Sequence, residues 1–138
     1  MIKKIIFIVS LVVCSFLAIA QKADYKVVFD MSSNDTVNQK AIIRELQAIS
    51  QERPDAQLEV TVYGEALPLV LKDKSNYTDA IQQLINSKKA NFKVCSMTMK
   101  RMNADKSQLI AGVDVVPDGI YEIISKQREG WGYIKVAH

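Results

Sequence analysis

The chain has 138 residues, 49% apolar and 24% charged, with a formal net charge of +3. That composition suits an ordinary globular domain with one core and excludes a disordered or low-complexity chain. Basic and acidic side chains are interspersed and no aromatic-plus-basic module occurs, so nucleic acid is not an expected partner.

The first twenty residues read apart from the rest. Met1-Ile2-Lys3-Lys4 is a short basic start, Ile5 to Ala20 is almost wholly apolar, and Ala18-Ile19-Ala20 offers small residues at the positions a signal peptidase reads. The expected organisation is a signal peptide over 1–20, cut between Ala20 and Gln21, and one domain over 21–138. This implies an exported protein, periplasmic or secreted, with no membrane attachment after cleavage. Losing Lys3 and Lys4 lowers the formal charge to +1, and losing Cys14 leaves Cys95 alone, so an intramolecular disulfide is excluded. An unpaired cysteine in an oxidising compartment is reactive, intermolecular or buried.

Tyr25 to Met31 is a β-rich run ended by Ser32-Ser33-Asn34-Asp35, residues that favour turns and helix caps. From Val37 to Glu52 the apolar residues Val37, Ala41, Ile42, Leu46 and Ile49 recur at helical spacing until Pro54 stops the pattern. Leu58 to Tyr63 predicts a second strand, with Gly64 as the turn residue. Ala66 to Leu71, interrupted by Pro68, predicts a helix start, and Ser75 or Asn76 caps a helix with Tyr77, Ile81, Leu84 and Ile85 on its inner face. Ala90 to Met97 predicts the third strand, Met99 to Leu109 a short helix, and Gly112 to Val116 the fourth strand. Asp118 caps a helix reaching Gln127, and Trp131 to Val136 closes the chain as a fifth strand.

Strands alternating with helices predict right-handed crossovers and a parallel sheet covered on both faces. The fold class is α/β: a flavodoxin-like three-layer α/β/α sandwich with a mainly parallel five-stranded sheet. Such sheets bind ligands outside the carboxyl ends of their strands, which directs attention to Cys95. A helix starting at Ser96 to Thr98 would bring backbone N–H groups toward the thiol, with Lys100 and Arg101 in the next turn, and so favour the thiolate. A second reading makes Cys95 a buried strand residue in a non-catalytic ligand-binding or assembly subunit. A third gathers Cys95, Met97, Met99 and Met102 as soft donors for Cu(I).

Other chemistries find little support. The loop Ser32 to Thr36 holds no glycine to wrap a flavin phosphate, so no cofactor is expected. Asp30, Glu65, Asp114 and Glu122 show no paired spacing for acid and base work. The only histidine, His138, is the last residue, which argues against a Cys-His dyad and a multi-histidine metal site.

Several blocks resemble the DsrE/DsrF-like family, particularly its stand-alone members: Leu58 to Gly64 with Ala66-Leu67, Phe92 to Cys95 with Thr98-Met99, Gly112 to Pro117 with Gly119, and Glu122 to Gln127 running into Glu129 to Ile134. The resemblance implies a homo-oligomer in which a cysteine at the end of the third strand carries sulfur as a persulfide, exchanged with a donor or acceptor protein. Cys95 occupies that place, with Ser96, Thr98, Lys100 and Arg101 as residues supporting the thiolate. Relatives usually carry a small residue and then asparagine where Ser96 and Met97 stand. The expected role is therefore thiol or sulfur handling, as a carrier rather than a stand-alone enzyme.

Overall fold

The structure, a computed structural model, describes residues 24–137; the expected signal peptide and His138 lie outside the described residues. Five strands, β1 (Lys26–Met31), β2 (Gln57–Val62), β3 (Asn91–Cys95), β4 (Asp114–Val116) and β5 (Gly132–Lys135), form one sheet in the order β4-β3-β2-β1-β5. Every pairing is parallel. The helices are α1 (Thr36–Glu52), α2 (Thr78–Asn86), α3 (Ser96–Arg101) and α4 (Gly119–Arg128), with short 3₁₀ segments at Gly64–Val70 and Lys106–Gln108.

The expected α/β/α class stands, and the strand order within it is distinctive. Flavodoxin itself runs 2-1-3-4-5. Here β1 to β4 step always in one direction, so right-handed crossovers place α1, α2 and α3 on one face. The chain then returns across the whole sheet to β5, which puts α4 on the other face.

The register separates the two faces chemically. Phe29, Met31, Leu58, Val60, Val62, Phe92 and Val94 point one way and pack with Ile42, Ile43 and Leu46 of α1, Leu67 and Leu69 of the first 3₁₀ segment, and Ile81 and Leu84 of α2. That is the core. Val28, Asp30, Glu59, Thr61, Lys93 and Cys95 point the other way, under α4. Strands alternate by two, so a polar row opposite a continuous core marks a face with another purpose.

Local chemistry accounts for the element boundaries that differ from expectation. Asp35 caps α1 by accepting the Val37 N–H at 2.7 Å, but the buried stripe begins at Asn38 and Gln39, and Val37 is 57% exposed. Those two side chains are anchored at 3.1 Å to Ser33 Oγ and Asn34 Oδ1. Neither Ser75 nor Asn76 holds the cap position before α2: Tyr77 does, without a side-chain cap bond, while Ser75 Oγ accepts the Tyr77 N–H at 3.1 Å. The Ala66–Leu71 run is not the opening of an α-helix: Gly64–Val70 winds as 3₁₀ around Pro68. β3 ends at Cys95 rather than Met97, because Ser96 already begins α3. The expected helix from Met99 to Leu109 is broken where Asn103 turns left-handed at φ 51°. Asp105 then caps the second 3₁₀ segment by accepting the Ser107 N–H at 2.8 Å.

Candidate functional site around Cys95

The connection after β3 passes to the apolar face and the connection after β4 to the polar face. The carboxyl ends of β3 and β4 therefore bound the crevice at a topological switch point, where open α/β sheets bind ligands. Cys95, the last residue of β3, stands on one side and Gly119, the first residue of α4, on the other.

The sulfur sits between two helix starts. Burial pushes the Cys95 thiol pKa up, since the residue is only 5% exposed. The backbone N–H of Gly119, the N–H and hydroxyl of Thr98, and the N–H of Met97 act the other way and more than offset it, so the net pKa lies below the ordinary value. Thr98 Oγ1 accepts the Gly64 N–H at 3.0 Å, leaving its own proton free for the sulfur. Gly64 reaches that position with φ +58°, a conformation that costs glycine little. Gly119 has no room for a side chain: a Cβ there would lie 3.2 Å from Cys95 Cβ and 3.4 Å from Tyr63 Cβ.

A depression of about 220 Å³ opens beside the sulfur, walled by Tyr63, Gly64, Met97, Thr98, Arg101, Asp118 and Ile120. Asp118 is engaged as the cap of α4, accepting the N–H groups of Ile120 at 2.9 Å and Tyr121 at 3.2 Å. Ser96 Oγ donates to the Pro117 carbonyl at 3.2 Å and so ties the start of α3 to the loop before α4.

Of the residues expected to support the thiolate, Thr98 touches it, Ser96 braces the crevice and Arg101 lines the rim, 3.9 Å from Glu65. Lys100 is exposed and does not line the depression. Met97, where relatives usually carry asparagine, turns its side chain outward at 55% exposure and offers the sulfur its backbone N–H. The four soft donors do not converge. Met97 shares the depression with Cys95, Met99 is packed in the core, and Met102 lines a separate hollow. Among the described residues, no group of three or more His, Cys, Asp or Glu is placed to hold a metal ion.

Two further polar clusters occupy the α4 face. At the ends of β1 and β5, Asp30 accepts the Tyr133 hydroxyl at 2.7 Å and the Lys135 ammonium at 2.8 Å, and Lys135 also donates to Ser32 Oγ at 2.6 Å. Tyr63, a wall of the Cys95 depression, borders this cluster: burial first, then the nearby Asp30 carboxylate, raises its pKa. The sequence showed Asp30 without a partner because Tyr133 and Lys135 lie more than a hundred residues away. Nearer the amino ends of the strands, Glu59 is 1% exposed beneath Glu122 and Lys126 of α4. The alternation of β2 placed Glu59 on one face, but only the sheet shows that α4 buries that face.

The arrangement defines a class: a parallel α/β protein that, among its described residues, places a single cysteine at a topological switch point. Within that class the chain belongs to the DsrE/DsrF-like family, whose pattern matches residues 17–136. A solved protein of unknown function from Methanobacterium thermoautotrophicum is 29% identical, with a TM-score of 0.76, covering 81% of this chain and 99% of its own. A second, from Bacteroides thetaiotaomicron and also of unknown function, shares the fold at 13% identity, TM-score 0.65, covering 85% of this chain and 99% of its own. No curated protein matches the chain. Among the described residues, no helix is long and apolar enough to cross a membrane.

Proposed function

We propose that this is an exported sulfur-handling protein in which Cys95 carries sulfur as a persulfide. The observation that carries the reading is the set of donors around the sulfur, from Gly119, Thr98 and Met97, which stabilises a thiolate at a site otherwise too buried to ionise readily. The thiolate attacks the outer sulfur of a donor persulfide. The donor's S–S bond breaks, an S–S bond forms on Cys95, and the donor leaves as a thiolate with no net oxidation. An acceptor thiolate then removes the outer sulfur by the same exchange.

Assembly is part of the proposal. One ten-residue helix covers the polar face of a five-stranded sheet, and Ile120, Tyr121 and Ile124 of that helix are exposed, which suits a homo-oligomer. Light scattering of the purified protein reads the assembly, and the amino-terminal sequence of the exported chain reads cleavage after Ala20.

The decisive experiment is mass spectrometry of protein isolated without reductant and after exposure to glutathione persulfide. One added sulfur atom on Cys95, absent from Cys95→Ser, is expected. An unmodified Cys95 under both conditions refutes sulfur carriage and leaves the cysteine a packing residue.

A further inference from the structure

Helix α4 makes two sets of contacts with the sheet. Its first residue, Gly119, packs against Cys95, where its backbone N–H helps to lower the thiol pKa; Glu122, one turn on, and Lys126, one turn further, lie over Glu59. Glu59 is held loosely for so buried a carboxyl, with Thr61 Oγ1 at 3.4 Å and Lys126 Nζ at 3.6 Å. The same ammonium stands 3.8 Å from Glu122 and 3.7 Å from Glu129, so one cation serves three carboxyl groups. From β3, Lys93 faces Glu59 but is already paired with Asp114 at 2.7 Å, and Asn91 is its neighbour in register; from β1 the neighbour is the apolar Val28. A cavity of about 370 Å³, lined also by Lys88 and Lys89, reaches this group and gives its proton a route to water.

We propose that Glu59 is a positioning residue for the Cys95 thiolate: its protonation sets how closely α4 seats on the sheet, and therefore whether the Gly119 N–H stays on the sulfur. With the proton present, Glu59 bonds to Glu122 and Lys126 neutralises the charge that remains. With the proton lost, buried like charges face each other and the first turn of α4 is pushed outward. Gly119 and Glu122 are three residues apart on one face of the helix, so they move together. A Cβ added at Gly119 would lie 3.2 Å from Cys95 Cβ, so the first turn of α4 packs directly against the cysteine and a tilt there moves the Gly119 N–H relative to the sulfur. Burial, reinforced by Glu122, holds the Glu59 carboxyl at about 7, so both states are populated near neutrality.

The inference rests on Cys95 acting as a thiolate, but its test reads alkylation rather than sulfur transfer, so it fails independently of the persulfide reading. The rate of iodoacetamide reaction at Cys95 is followed from about pH 5 to pH 10 in the native protein, Glu59→Gln and Glu122→Gln. Trp131 emission is recorded in parallel, because Lys126 sits 4.8 Å over the ring of this single tryptophan. The native protein is expected to fall short of a simple thiol titration above neutrality by about tenfold, the lower end of what one hydrogen bond to a charged group contributes. Trp131 emission should change over the same interval. Glu59→Gln should give a simple titration with steady emission, and so should Glu122→Gln, which removes the charge that ionised Glu59 faces.

Superimposable profiles for the native protein and Glu59→Gln overturn the proposal, as does a Trp131 transition that Cys95 reactivity ignores. If Glu59→Gln fails to fold by circular dichroism, a step of native size in Glu122→Gln overturns it instead.

Discussion

Replacing Thr98 with valine keeps the shape of the side chain and removes its oxygen. In the native site that oxygen accepts the Gly64 N–H at 3.0 Å while its proton serves the Cys95 sulfur. A hydrogen bond to an ionised partner contributes about 1.5–3 kcal/mol, equivalent to roughly a ten- to hundredfold change in the thiolate-to-thiol ratio. Three backbone donors, from Gly119, Thr98 and Met97, remain in Thr98→Val, so the lower end, about tenfold, is expected. Losing its acceptor leaves the Gly64 N–H unpaired in a half-buried turn, at a cost of about 1 kcal/mol in stability. Thiolate absorbance against pH, with urea unfolding in parallel, reads both quantities. Thr98→Ser should restore both. A Thr98→Val protein that titrates like the native one would show that the hydroxyl does not stabilise the thiolate and that the reasoning is wrong.

Gly119→Ala gains up to about 1 kcal/mol of helix propensity but crowds Cys95 and Tyr63, so slower alkylation with little change in melting temperature is expected; unchanged alkylation would count against the Gly119 contact. Glu59, with a folded pKa of about 7 against an ordinary 4.5, retains a proton that the unfolded chain gives up. Its contribution is full below pH 4.5 and lost as pH rises through 7, at most about 3 kcal/mol, and Glu59→Gln should flatten that decline in urea unfolding measured across the interval. If the decline persists in the variant, another group causes it. Asp30→Asn weakens bonds to Tyr133 and Lys135 together and should lower stability by about 2 kcal/mol, more than Tyr133→Phe does; equal losses in denaturant titration would place Asp30's importance elsewhere.

The site was legible in the sequence as far as local pattern reaches. The β-rich run from Ala90 to Met97 that carries Cys95 and the helix cap at Asp118 are local features; the cap holds, and the strand forms but stops at Cys95, two residues earlier than its apolar composition suggests. Val37 shows the limit: its spacing fits the inner face of α1, but the buried stripe is rotated onto Asn38 and Gln39, whose amides find partners in the capping loop. Gly119 belongs to a block that resembles the family, yet its contact with a cysteine 24 residues earlier depends on β4 lying beside β3. Tyr63 and the Asp30 cluster likewise meet only through strand neighbours.

By itself the sequence determined the alternation of elements, the single cysteine of the described residues and its place at a strand end, because helix and strand periodicity and capping act over a few residues. The tertiary structure decided which strands are neighbours, and from that order the rest follows. Four strands stepping one way and a fifth returning leave one sheet face to α4 alone, set the switch point between β3 and β4, and bury Glu59 on the same face as Cys95. Those are consequences of chain direction across the sheet, a quantity that no local pattern carries.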